Sequence, residues 1–174
     1  MTAGLSSLGR GESTMQAAVA VALGGAATLL GAWYFQYVVG LAPCPLCLEQ
    51  RVAYYFAIPL AALVMLGVSY GATPKVLQLA LLAIAAGMLW NAGLGVYHSG
   101  VEWKWWPGPQ ECSGTLNFGN IDDLLDRARR GTVVRCDQAA WRDPVLGLSL
   151  AGYNALISLA LASVAAWGAL AKRS

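Results

Sequence analysis

The sequence predicts an all-α membrane protein, a four-transmembrane-helix bundle whose one long loop carries a short amphipathic helix. Two observations lead there. Of 174 residues, 57% are hydrophobic and 11% charged, less than half the roughly 25% charged residues usual in soluble domains. The Asp, Glu, Lys and Arg residues also leave four uncharged runs, at 13–48, 52–74, 76–101 and 144–171. Each exceeds the roughly 20 residues that a helix rising about 1.5 Å per residue needs to cross about 30 Å of hydrocarbon. A net charge of +2, with basic residues scattered or balanced by acids, leaves no basic footprint for nucleic acid. Residues 1–174 are expected to form a single integral membrane domain whose surroundings are the lipid bilayer.

The first span is expected at 15–39, ending before the Pro-containing stretch at 42–45 because backbone in lipid must satisfy its own hydrogen bonds. Three more spans follow it and no strongly basic stretch precedes its apolar core, so it reads as a retained helix rather than a cleaved signal peptide. The second span is expected at 48–70 and the third at 75–97, joined by the short turn "YGATPK". The fourth is expected at 145–170. The loops at 40–47 and 98–143 then lie on one face, opposite both termini, and all four cysteines are on that face.

Within the long loop, Ile121, Leu124, Leu125 and Ala128 repeat at i, i+3, i+4 and i+7, which places them on one side of a helix. Asn120 suits its N-cap, Asp122 and Asp123 its first turn, Arg129 and Arg130 its last, and Gly131 its stop. It is either a helix lying on the membrane surface or an ordinary surface helix. Trp103, Trp105 and Trp106 in "VEWKWW" suit the headgroup level, with stacking against a ligand or partner as the other reading.

Orientation by charge points the other way from the cysteines. Arg10, Lys75, Lys172 and Arg173 lie on the terminus side, against Arg51, Lys104, Arg127, Arg129, Arg130, Arg135 and Arg142 on the loop side. A positive-inside count would put the loops in the cytoplasm. Two separated cysteine pairs favour an oxidising compartment, and that argument is given more weight.

The cysteines fall as Cys44-x-x-Cys47 and Cys112-x(23)-Cys136. A tetrathiolate zinc site takes two close pairs, and only one is present, so no metal is expected. Buried inert thiols or a structural disulfide are the plain readings. The surroundings of the first pair favour redox chemistry instead. With Pro45 in the first turn of the second helix, both sulfurs sit at the positive end of its dipole, where a thiol ionises more readily. Arg51, four residues after Cys47, lies on the same helical face, where it can stabilise a thiolate or an anionic ligand; it also fits a snorkelling arginine at the membrane edge.

A dithiol that cycles must pass on two electrons. The chain has no Gly-rich dinucleotide fingerprint, no Cys-x-x-Cys-His and too few further cysteines for an iron–sulfur cluster. A lipid-soluble acceptor remains. His98, the only histidine, closes the third span on the Arg51 face, where it can donate to a quinone carbonyl or serve as an interfacial side chain. Gln36, Asn91 and Asn154 suit interhelical hydrogen bonds as well as ligand contact.

On these residues the sequence resembles the DsbB family, disulfide bond formation protein B, over nearly its whole length. The resemblance is carried by "WYFQYVVGLAPCPLCLEQR", by Cys112 and Cys136, and by "CDQAAWRDPVLGLSLAGYN". It implies a bacterial inner-membrane enzyme with cytoplasmic termini and periplasmic cysteine loops, which reoxidises the thiol oxidase DsbA and passes electrons to ubiquinone or menaquinone. It also implies four catalytic cysteines: Cys112 attacked by reduced DsbA, Cys136 exchanging with Cys44, and Cys47 meeting the quinone, with Arg51 and His98 binding that cofactor. Gln50 stands where some members carry Glu. Two alternatives are a vitamin K epoxide reductase-like enzyme, whose loop cysteines precede the Cys-x-x-Cys, and a non-enzymatic membrane scaffold with one structural disulfide.

Overall fold

The structure, a computed structural model, describes residues 3–109 and 135–171, with side chains from residue 11 onward. Four helices form an all-α bundle: α1 (Ala3–Tyr37), α2 (Pro45–Ser69), α3 (Pro74–Glu102) and α4 (Leu150–Leu170). All four are long and apolar enough to cross a membrane, α1 from Gly11 onward. No β-strand occurs among the described residues. The expected helix at 121–130 lies outside them, as does Cys112.

α1 already begins at Ala3, twelve residues before the expected start at residue 15, and three further helix limits differ from the sequence expectation by several residues, each for a local reason. α2 begins at Pro45 rather than residue 48, because proline at the first helical position has a preset φ and lacks an N–H that would have no intrahelical partner there. Nothing breaks α3 at residue 97, so it runs on to Glu102. α4 starts at Leu150 instead of residue 145, because Asp143 organises a turn ahead of it. Asp143 Oδ1 accepts from the N–H groups of Val145 at 2.6 Å and Leu146 at 3.1 Å, and Gly147 supplies the positive φ of 69°. Ser149 then caps the helix, accepting from Gly152 N at 3.3 Å.

Lipid tails are as apolar as leucine, so small residues and hydrogen bonds rather than the hydrophobic effect bring such helices together. Gly95 of α3 lies against the α4 backbone, where an added Cβ would stand 2.9 Å from Ala155 N. Gly168 of α4 leaves a gap that Ala17 of α1 fills. At mid-bundle Tyr54 OH donates to Asn154 Oδ1 at 2.7 Å, and Asn91 Nδ2 donates to Ser158 Oγ at 2.9 Å and to Asn154 Oδ1 at 3.3 Å. Asn91 and Asn154 thus serve interhelical bonding across α2, α3 and α4. Each such bond contributes roughly 0.6 kcal/mol, so the network sets the register of the helices more than it sets stability.

The aromatic cluster after α3 is folded back on the helix end. Trp106 covers Gly100, donates from Nε1 to Tyr97 O at 2.9 Å and stacks on the Tyr97 ring at 6.1 Å between centroids. Trp103 and Trp105 stay partly exposed beside it, as amphipathic rings at a membrane edge do.

Candidate redox site

The start of α2 builds the first half of the site. Cys44 is the N-cap, its Sγ accepting from Cys47 N at 3.2 Å. The same turn brings the Cys44 and Cys47 sulfurs to 2.6 Å, both as free thiols. A disulfide bond is about 2.05 Å long, so a shift of roughly half an ångström closes the pair. The Cys44 thiol is held well above the ordinary thiol range, first by its hydrogen bond with Cys47 and then by burial. That reverses the sequence expectation for this sulfur. The close contact with the Cys47 thiol opposes the effect of the helix end on Cys44.

The continuation of α3 brings in the second half. His98 and Gln50 are both buried, and Gln50 Nε2 lies 2.9 Å from His98 Nδ1. His98 Nε2 lies 3.7 Å from Cys44 Sγ and 3.8 Å from Glu102 Oε1, one helical turn further on. Where the Gln50 amide donates to Nδ1, the proton of the neutral ring sits on Nε2, facing sulfur and carboxylate. Sequence reasoning missed Glu102. The available signal was an acid ending an apolar run four residues after the only histidine. Its side chain is 5% exposed, Oε2 has no hydrogen-bond partner, and Ser149 and Arg142 stand beside it.

Arg51 is half-buried and donates from Nη1 to Gln36 Oε1 at 2.6 Å. Gln36 therefore orients the arginine from α1, while Arg51 and Glu102 both lie in Coulombic reach of Cys47.

Cys136 completes the cluster from the far end of the long loop. It is disulfide-bonded, fully buried and packed with Cys44 and Leu46, with Cys47, Leu94 and Tyr97 around them. Its backbone reaches the His98 ring. Neighbouring charges hold this chain segment down: Asp137 pairs with Arg135 at 2.8 Å and Lys104 at 2.5 Å. Hydrogen bonds from those two cations push the Asp137 carboxyl well below the usual carboxylate range. Trp141 lies 5.3 Å from the Phe35 ring of α1 and 6.4 Å from Tyr153 of α4.

An apolar groove of about 560 Å³ runs along the outer side of α3 over Ala86, Leu89, Trp90, Gly93, Leu94 and Tyr97. Leu94 and Tyr97 belong both to this groove and to the packing around the cysteines. The groove is lined by α3 residues, and Arg51 is not among them; its apolar walls suit a hydrophobic molecule.

Comparison with known proteins shows the family. The model of the family described as "Disulfide bond formation protein DsbB" matches residues 14–168. A disulfide bond formation protein B from Polaromonas sp. (strain JS666 / ATCC BAA-500) is 29% identical over 151 residues, 83% of each chain. That of Marinobacter nauticus is 33% identical over 138 residues, covering 75% of this chain and 77% of the relative. That of Verminephrobacter eiseniae is 32% identical, covering 78% and 76% respectively. No solved structure matches at a comparable level.

Proposed function

The chain belongs to the DsbB family and is a multi-pass membrane protein, and from that premise we propose that it reoxidises a periplasmic dithiol oxidase of the DsbA type and delivers the electrons to ubiquinone or menaquinone. In this reading it sits in the bacterial inner membrane with its termini in the cytoplasm and its cysteine loops in the periplasm. The observation that carries the reading is the burial of Cys136 and Cys44 in one cluster at the start of α2, which brings a loop disulfide to a membrane-edge dithiol.

The exchange is written on the oxidised protein, with Cys112–Cys136 and Cys44–Cys47 as disulfides. A DsbA thiolate attacks Cys112 and releases Cys136 as thiolate. Cys136 attacks Cys44, breaking the Cys44–Cys47 bond and releasing Cys47 as thiolate. The second DsbA thiol then attacks its partner's mixed disulfide with Cys112, leaving DsbA oxidised. The freed Cys112 attacks Cys136 in its bond to Cys44, which restores the loop disulfide and returns Cys44 as thiol. Two electrons and two protons now reside with the Cys44–Cys47 pair.

Quinone, when bound, supplies a two-electron, two-proton acceptor within the bilayer. Arg51 places a permanent charge where Cys47 becomes anionic, and Gln36 keeps that charge oriented. His98 is the second candidate for a quinone carbonyl. Its Nε2 also faces Cys44, so it is placed to give or take the proton of that sulfur. Glu102, beside His98, supplies a carboxylate from α3 where Gln50 has none.

The test is to mix pure protein, a reduced DsbA-type oxidase and a soluble quinone, and to follow quinone absorbance. Stoichiometric quinone reduction coupled to DsbA oxidation is expected. Thiols at Cys44 and Cys47 that never change redox state would instead favour the scaffold alternative.

A further inference from the structure

The donor atoms of Cys44, Cys47 and His98 all lie within 4.8 Å of one another. Adjacent ligands on a tetrahedral zinc ion stand about 3.3–3.8 Å apart, given Zn–S of about 2.3 Å and Zn–N of about 2.0–2.1 Å. The 3.7 Å between Cys44 Sγ and His98 Nε2 already meets that spacing, and the 3.8 Å between His98 Nε2 and Glu102 Oε1 lies at its upper limit. The two sulfurs, at 2.6 Å, have to part by roughly 1 Å, and the Glu102 carboxylate has to move toward the other three donors, which cluster without it. A second observation points to a ligand: Glu102 is 5% exposed, yet its Oε2 has no hydrogen-bond partner.

We propose that the reduced Cys44–Cys47 pair, with His98 and Glu102, binds a thiophilic divalent cation of the zinc type and that this ion locks the protein in its reduced state. The site differs from the tetrathiolate knuckle that the cysteine spacing argues against, because one cysteine pair is completed by a histidine and a carboxylate from another helix. Two thiolates, an imidazole and a carboxylate match the ligand preferences of zinc. Turning the Gln50 amide over lets its oxygen accept from Nδ1–H of His98, which leaves the Nε2 lone pair facing the ion. Histidine ligands are ordinarily oriented in this way by a second hydrogen bond.

Binding moves no electrons. Each thiol gives up one proton, and two thiolates with one carboxylate leave the occupied site at a net charge of −1, beside the Arg51 cation. A Cys44–Cys47 disulfide has no thiolate to offer, so occupancy depends on redox state. The bound ion also ties up the sulfurs that exchange and electron delivery need. The proposal rests on the proposed function only in requiring that this pair pass through a reduced state.

The test uses the full chain with Cys112→Ser and Cys136→Ser, so that Cys44 and Cys47 are its only thiols. Detergent-purified protein is reduced, freed of reductant without oxygen and exposed to Zn²⁺; bound metal and released protons are counted. About one zinc per chain is expected in the reduced form, with roughly tenfold weaker binding for Glu102→Gln and for His98→Ala, and almost none after oxidation to the disulfide. Co²⁺ added to the reduced unsubstituted chain, and to the same chain with Cys44→Ser and Cys47→Ser, reports independently through the thiolate charge-transfer absorption that only the first should gain from this site, which guards against a variant that fails to fold. Equal zinc in the two redox states, no zinc in either, or no thiolate-to-cobalt absorption would overturn the site. Quinone turnover is measured separately in metal-free buffer, so failure of the proposed function and failure of the metal site are distinguishable.

Discussion

Gln50 of α2 and His98 of α3 meet inside the bundle, Nε2 to Nδ1 at 2.9 Å, with neither side chain more than 5% exposed. This contact fixes which nitrogen of the only histidine faces Cys44. Gln50→Leu removes one partner and leaves a buried ring nitrogen without a hydrogen bond, which costs about 1–3 kcal/mol. The expected result is a lower unfolding midpoint in detergent together with slower turnover. An unchanged midpoint would mean that the ring finds another partner.

Arg51→Ala should reduce quinone turnover by roughly 10²-fold, the scale seen when one preorganised charge or donor is removed from a reacting centre. Its effect on folding should be small, because the residue is half-buried and contacts Gln36 at its tip. Arg51→Lys should recover part of the rate, as lysine keeps the charge but lacks the planar fork. Steady-state quinone reduction decides the matter, and an Ala variant with wild-type kinetics would remove Arg51 from the site.

His98→Ala should raise the quinone concentration needed for half-maximal rate. Because Nε2 stands 3.7 Å from Cys44 Sγ, it should also slow disulfide exchange at Cys44, on the order of 10²-fold if the ring acts as acid and base there. Stopped-flow mixing with reduced DsbA, without quinone, separates the two effects. Exchange at the wild-type rate would confine His98 to quinone binding.

Cys136 is fully buried, so an incoming protein thiol has no path to it, and attack should fall on Cys112. Cys136→Ser should therefore trap a Cys112 mixed disulfide with an oxidised single-cysteine DsbA, while Cys112→Ser traps little. Non-reducing gels at equal protein load provide the comparison. The opposite pattern would exchange the roles of the two loop cysteines.

Acid should loosen the segment that carries Cys136. The folded-state carboxyl of Asp137 titrates below its ordinary value because Arg135 and Lys104 bond it. A depressed carboxyl contributes stability that is complete above the unfolded value of about 3.9 and is lost as pH falls through the lower folded value. The difference in unfolding midpoint between wild type and Asp137→Asn should be constant above about pH 5 and shrink on further acidification. A difference that widened instead would contradict the sign.

Much of the architecture depends on local information. Uncharged runs long enough to cross hydrocarbon dictate four helices, since lipid offers the backbone no other partner. Pro45 sets the first turn of α2, and four-residue spacing puts Arg51 on the Cys47 side of that helix. These inferences needed nothing from the rest of the chain.

What the sequence alone determined, then, was the number of spans and the Cys44–Cys47–Arg51 grouping at the start of α2. The tertiary structure decided that His98 lies against Cys44 and Gln50, that Glu102 is drawn into the same buried cluster, and that Cys136 packs beside Cys44. Those meetings depend on how far α3 continues and how the helices are rotated about their axes. Close contacts such as Gly95 on Ala155 and Gly168 on Ala17 set that rotation, and periodicity within one apolar helix carries no record of which neighbour it will face.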